Sequence, residues 1–178
     1  QPITFVDIGT GSGCIIITLA KQIANCKFFA TDISAKALTV ARQNAKHHGV
    51  AKKIKFLHGD LLEPIKKLVI GHWKLVILCN LPYLTPSQIK NSPTIKHEPR
   101  SALNGGPDGL KYYRQLFKQL RALRVMSYEL RYIYALCEID PGQTTKIKQL
   151  IKHELPKAAF QIKKDLSGLN RLAIIKLG

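Results

Sequence analysis

The chain has 178 residues, 46% apolar and 22% charged, which suits one α/β domain, excludes a disordered chain and calls for no disulfide or metal staple. Lys and Arg number 28 against 11 Asp and Glu, a net charge of +17. The longest apolar runs are a few residues, as at Cys14–Ile17, and no basic-then-apolar leader opens the chain, so neither a membrane span nor a signal peptide is expected.

Ile3–Ile8 reads as a short apolar strand. Ser12–Ala24 follows as a helix, with Ile16, Leu19, Ala20 and Ile23 on one face. Lys27–Thr31 is a second strand. Ser34 is placed to cap a helix that runs to His47 and closes at Gly49. Lys53–Leu57 is a third strand, ending at Gly59-Asp60. Pro64 marks a short helix or turn over Glu63–Val69, and Lys74–Cys79 is a fourth strand. Five prolines (Pro82, Pro86, Pro93, Pro99, Pro107) predict a long loop over Asn80–Pro107, and a loop of that length is usually functional. Asp108–Leu123 is a helix with Leu110, Tyr113, Phe117 and Leu120 inward. Arg131–Cys137 is a strand and Gly142–His153 a helix. Ala158–Lys163 and Leu172–Leu177 close the chain as a hairpin around Ser167-Gly168. Apolar strands alternating with helices predict a mostly parallel sheet covered on both faces, with the last strand antiparallel.

Four scattered cysteines and six histidines show no metal spacing, so no metal is expected and the thiols are read as reduced and buried, in a cytoplasmic protein. The +17 charge leaves two readings open. One is a polyanionic partner such as RNA or the ribosome; the other is a solvated surface of scattered lysines, with no run longer than two.

Asp7-Ile8-Gly9-Thr10-Gly11-Ser12-Gly13 follows the first strand and opens the first helix, where glycines let a ligand approach the backbone. A dinucleotide fingerprint needs its third Gly at position 14, which is Cys, and no G-K-[ST] follows, so a pyrophosphate ligand is disfavoured. Asp32 ends the second strand, where a carboxylate accepts from vicinal ribose hydroxyls; a charge at the start of the following helix is the alternative. Asp60 ends the third, where it could accept from an adenine amino group; a plain loop carboxylate is the alternative. Three of only six Asp thus sit at consecutive strand ends, where open α/β sheets bind ligands. The fourth strand runs into Asn80-Leu81-Pro82-Tyr83. The Asn80 carboxamide and the next carbonyl can accept both N–H groups of a planar amide or amine. Pro82 stiffens the turn, and Tyr83 can stack on the target. An Asx turn beside a surface Tyr is the alternative.

The chain resembles class I S-adenosylmethionine-dependent methyltransferases, and within them the protein-(glutamine-N5) methyltransferases that modify peptide-chain release factors. The resemblance rests on FVDIGTGSGC, ATDIS, FLHGDLLEP, ILCNLPY, HEPRSALNGGPDGL, CEIDPGQ and KDLSGLNR, which together span nearly all of the chain. It implies a seven-stranded sheet of order 3-2-1-4-5-7-6. It implies S-adenosylmethionine held by Asp7, Gly9, Thr10, Gly11, Ser12, Gly13, Asp32, Asp60 or the neighbouring Leu61, and Asn80. It also implies a release-factor glutamine in a Gly-Gly-Gln context, gripped by Asn80, Leu81, Pro82 and Tyr83. Three departures stand out. The family tetrapeptide is Asn-Pro-Pro-Tyr, and Leu81 makes this one similar to that of rRNA adenine-N6 dimethyltransferases. Position 81 is expected to contribute only its carbonyl, so Pro should serve there. The family's N-terminal helical domain is expected to be absent, leaving residues 1–178 as a single monomeric catalytic domain, and Arg124–Arg131 replaces a Gly-containing turn. The alternatives are an adenine-N6 methyltransferase on rRNA or DNA, and a non-catalytic RNA-binding module.

Overall fold

The computed structural model describes residues 3–65, 68, 74–95, 97–126 and 132–178. Seven strands form one sheet in the order β3-β2-β1-β4-β5-β7-β6. They are β1 (Ile3–Ile8), β2 (Lys27–Asp32), β3 (Ile54–His58), β4 (Lys74–Cys79), β5 (Tyr132–Glu138), β6 (Ala159–Lys164) and β7 (Asn170–Leu177). β7 runs antiparallel to both neighbours and every other pairing is parallel. The expected architecture is therefore present, including the order that the resemblance implied.

The helices are α1 (Cys14–Gln22), α2 (Ala35–His47), α3 (Pro86–Asn91), α4 (Arg100–Leu103), α5 (Lys111–Met126) and α6 (Thr144–Glu154). Ser34 caps α2 as expected, accepting from the Ala37 N–H. α1 begins two residues later than expected, because Gly13 is left-handed (φ 86°) and Ser12 cannot lie in the helix. The 80–107 segment is not a bare loop. Pro86 is the first residue of α3, behind a Thr85–Gln88 capping box, and Pro99 precedes α4. Proline at a helix start costs nothing, since that N–H has no helical partner. The expected turn over Glu63–Val69 is described only at 61–65 and 68, and Trp73, Gln1-Pro2 and most of the Arg124–Arg131 departure lie outside the described residues.

Two apolar clusters hold the layers together. α1 and α2 give Ile16, Ile17, Ala20 and Ala45 to the smaller one, against Phe28, Ala30 and Ile54. The larger joins β1, β4, β5 and β7 to α5 and α6, with Tyr113, Leu116, Phe117 and Leu120 fully buried. Cys79 and Cys137 are buried, but Cys14 is exposed and Cys26 half-buried, so the expectation of buried thiols holds for two of the four. No helix among the described residues is long and apolar enough to cross a membrane.

Strand order sets where a ligand can enter. Connections run outward from β1 to β2 and β3, then back to β4 on the other side of β1. Such a reversal opens a crevice at the carboxyl ends of the two central strands. Register pairs Ile8 with Cys79, so the glycine loop and Asn80 leave the sheet at the same level.

Candidate active site

The glycine loop is shaped by left-handed residues. Gly9, Gly11 and Gly13 have φ of 66°, 56° and 86°. At Gly13 a Cβ would lie 2.9 Å from Ile17 Cδ1 and 3.2 Å from Ala41 Cβ, so its absence lets α1 and α2 close on each other. At Gly11 nothing stands within 4 Å of where a Cβ would be, which leaves open space above the loop. The loop is tied to β2 by the Thr10 N–H, which donates to the Thr31 carbonyl at 3.0 Å. No side chain caps α1, so its N-terminal dipole points at whatever the crevice holds.

Asp7 lies under the loop, 2% exposed, and accepts from the Thr10 hydroxyl at 2.7 Å. Burial pushes its carboxyl up to about 6, although the Thr10 hydroxyl and the Ile16 N–H pull it back. A carboxyl raised on folding stabilises the fold fully below its unfolded value of 3.8 and loses that contribution as pH rises through about 6. Asp7→Asn should therefore flatten the decline in stability over that window, worth up to about 3 kcal/mol, as read by urea unfolding at pH 4 and pH 7. An unchanged pH profile would show that Asp7 does not titrate there.

Asp32, 8% exposed, uses both oxygens on the backbone. The Gly11 N–H donates to Oδ2 at 2.9 Å and the Ser34 N–H to Oδ1 at 2.8 Å. Each carboxylate oxygen keeps a second lone pair, so two acceptors remain for vicinal hydroxyls. The same side chain thus shapes the glycine loop and closes the start of α2.

Asp60 is half-buried, and its Oδ2 accepts from Gln115 Nε2 of α5. Leu61 follows with φ 47°, rare for a branched residue, and its carbonyl accepts from Thr31 Oγ1 at 2.9 Å. The Leu61 side chain is buried in the larger core cluster, so only its backbone is available to a ligand.

Beyond β4, Asn80 is exposed, Leu81 is 3% exposed, and Pro82 and Tyr83 are half-buried. The Leu81 side chain is not idle. It packs over the loop, with Cδ2 3.2 Å from where a Gly9 Cβ would be. The Tyr113 hydroxyl donates to the Glu138 carbonyl, across the larger core cluster that also holds Leu81. The expectation that position 81 supplies a carbonyl alone is therefore corrected. Leu81→Pro should cost about 1–3 kcal/mol through trimmed packing of this buried side chain, seen as a lower urea midpoint. Stability equal to the parent would restore the simpler expectation.

The Tyr83 hydroxyl donates to Glu138 Oε1 at 3.3 Å, and burial followed by the Glu138 charge raises its pKa. Gln143, the last residue of the CEIDPGQ segment, carries a role that the motif does not announce. Gln143, 6% exposed at the start of the α6 region, donates Nε2–H to the Tyr83 carbonyl at 2.7 Å and to the Asp108 carbonyl at 3.4 Å. Its Oε1 accepts from the Asp140 N–H at 3.3 Å. One amide thus joins the Tyr83 turn, the Asp108 turn and the end of β5. Gly109 makes room for it, since a Cβ there would stand 2.0 Å from Gln143 Nε2 and 2.1 Å from the Tyr83 oxygen. Asp140-Pro141-Gly142-Gln143 can be read as a capping box, and it is one. The contact with Tyr83, 60 positions away, has no local signal. Gln143→Ala should leave two carbonyls unpaired and lower stability by about 1–3 kcal/mol, measurable by thermal or urea unfolding. A neutral result would mean water takes over both bonds.

The crevice thus gathers the glycine loop, Asp7, Asp32 and the backbone around Asp60 on one side, with Asn80–Tyr83 on the other. Its residues fit a ligand with a ribose, a cationic centre and an extended chain: carboxylates with free lone pairs and room above Gly11. Among the described residues no cluster of His, Cys, Asp and Glu could hold a metal ion.

Comparison with known proteins places nearly the whole chain among methyltransferases by similarity. A "Release factor glutamine methyltransferase" of Bacillus cereus is 36% identical over 173 residues, covering 96% of this chain and 58% of its own length. The Bacillus subtilis protein of the same name is 36% identical over 168 residues, covering 93% of this chain and 55% of its own. The chain therefore spans somewhat over half the length of these curated relatives. The N-terminal domain of human METTL16 in complex with SAH superposes with a TM-score of 0.61 at 16% identity, over 99% of this chain and 61% of that one. That likeness concerns the fold, which is the class I S-adenosylmethionine-dependent methyltransferase fold. The family described as "Methyltransferase domain" matches residues 2–165. By that match, and by the sheet and crevice described above, the chain belongs to the methyltransferase-domain family.

Proposed function

We propose that this chain is the catalytic part of an S-adenosylmethionine-dependent protein-(glutamine-N5) methyltransferase acting on the Gly-Gly-Gln glutamine of peptide-chain release factors. The observation that carries the reading is the side-by-side placement of the exposed Asn80 and the glycine loop at the β1–β4 crevice, with Leu81 packed on Gly9. The names of the relatives support a release factor as the protein substrate. We read residues 1–178 as one catalytic unit, working as a cytoplasmic monomer.

In this reading Gly9–Gly13, Asp7 and Asp32 hold the cofactor, Asp60 or the Leu61 backbone meets its base, and Asn80 borders it. When bound, adenosylmethionine supplies an electrophilic methyl group on a sulfonium. The Asn80 carboxamide oxygen and the Leu81 carbonyl accept the two amide hydrogens of the glutamine, which orients the nitrogen and favours development of its lone pair. Pro82 limits the turn to one conformation, and the Tyr83 ring walls the glutamine while Glu138 and Gln143 hold the tyrosine at its two ends. The chain contributes position and polarisation. The proton leaves to water after transfer, since none of these residues is placed as a dedicated base.

The test uses methyl-labelled adenosylmethionine with a purified release factor and, separately, ribosomal RNA. Label on the Gly-Gly-Gln glutamine is expected. Label on RNA adenine and none on the release factor would replace this reading with the adenine-N6 one. Calorimetry should show binding of adenosylmethionine and adenosylhomocysteine and none of NAD. Tight NAD binding would overturn the cofactor assignment.

A further inference from the structure

Five carboxylates gather at one edge of the sheet. Asp7, Asp32, Asp60, Glu138 and Asp140 all lie at or just beyond the carboxyl ends of strands, at the crevice. The opposite edge, where the parallel strands begin, is basic. Lys27 opens β2, Lys52 and Lys53 precede β3, and Lys74 opens β4. Lys21 and Lys46 end α1 and α2 at the same edge. The helix dipole accounts for those last two. It does not account for Lys27, Lys55 or Lys74, which lie in strands.

The basic edge also has shape. A groove of about 680 Å³ opens below β2 and β3, lined by Lys27, Lys52, Lys53 and Lys55 with Asn25 and Phe29 among its other residues, and no carboxylate lines it. All four lysines are exposed. Lys52 and Lys55 form no ion pair among the described residues, while Lys53 Nζ donates to the Ala20 carbonyl at 3.2 Å. The half-buried Phe29 lines the groove with these cations and packs against the larger core cluster. Further along the same edge Tyr132 is 39% exposed, with Lys176 Nζ 5.1 Å from its ring centre. Lysines interleaved with partly open aromatic rings match a chain of phosphates carrying flat bases.

We propose that this groove is a docking site for the phosphate backbone of RNA. It is a docking site and not a second substrate site. β2 spans six residues, so the groove lies about 20 Å of strand away from the crevice. RNA seated there leaves the crevice open to a protein substrate. An acidic protein partner would match the charge but would make no use of the aromatic rings.

The probe is a short single-stranded RNA of mixed sequence, with poly-glutamate as the competing polyanion, both titrated against the whole chain over a range of salt. Four phosphate contacts predict a slope of log affinity on log salt of about −3. Lys52→Gln with Lys55→Gln should reduce the slope by about 1.4 and weaken binding on the order of tenfold at low salt. Lys163→Gln with Lys164→Gln, two exposed cations on β6, should leave both values as they were. The melting temperature of each double variant is taken alongside, and a variant that does not fold is replaced by the single Lys52→Gln, for which half the change in slope is expected. Equal losses in the two pairs would overturn the proposal, since charge would then act diffusely. So would absence of RNA binding at low salt, or poly-glutamate displacing RNA at equal charge concentration. None of these outcomes depends on methyl transfer, so failure here leaves the proposed activity standing, and the reverse.

Discussion

Asn80→Ala should lower turnover on the release factor by a factor on the order of 10² or more, the usual effect of removing one preorganised polar group at a reacting centre. On the proposed reading, the hydrogen bond that the Asn80 carboxamide accepts strengthens as the glutamine nitrogen becomes cationic in the transition state, so its loss belongs to kcat more than to binding. Adenosylmethionine affinity should change little. Asn80 is exposed and lies outside the core clusters, so the variant is expected to fold. Single-turnover transfer to a Gly-Gly-Gln peptide, beside calorimetric cofactor affinity, checks both parts. Full activity in the variant would remove Asn80 from the reaction.

Asp32→Ala should weaken adenosylmethionine binding by a factor on the order of 10² or more. Two hydrogen bonds to a charged acceptor are lost, each worth about 1.5–3 kcal/mol at most. The structure adds a second cause. Without the carboxylate the Gly11 and Ser34 N–H groups lose their acceptor, so the glycine loop loosens as well. Asp32→Asn retains one acceptor oxygen and should fall between parent and Ala. Calorimetry of the three proteins decides the matter, and equal affinities would take Asp32 out of the cofactor site.

Much of this arrangement is legible along the chain because its causes are local. The strands follow from short apolar runs, α2 from the Ser34 cap and the closing Gly49, and the glycine loop from its spacing after β1. Errors fall where one residue type has two local uses. Pro86 and Pro99 read as loop residues, yet Pro86 begins α3 and Pro99 stands directly before α4, because the missing N–H of proline is harmless at a helix start. Ser12 reads as a helix start, yet Gly13 takes a left-handed conformation, with Ile17 and Ala41 packed where a Cβ would stand.

By itself the sequence determined the α/β class, the alternation of elements, the terminal hairpin and the residue types at each strand end, since these depend on periodicity, capping and turn chemistry within a few positions. The tertiary structure alone decided which of those ends meet. β4 returns to the side of β1, so Gly9 and Asn80, 71 positions apart in the sequence, share one crevice. It also decided what supports them: Leu81 turned onto Gly9, Gln143 reaching the Tyr83 carbonyl, and Glu138 under the Tyr83 hydroxyl. These contacts join residues dozens of positions apart, and no periodic pattern encodes them. They arise because a buried carbonyl must find a donor and a buried side chain must fill the space left by a glycine, and the folded chain alone sets which ones lie within reach.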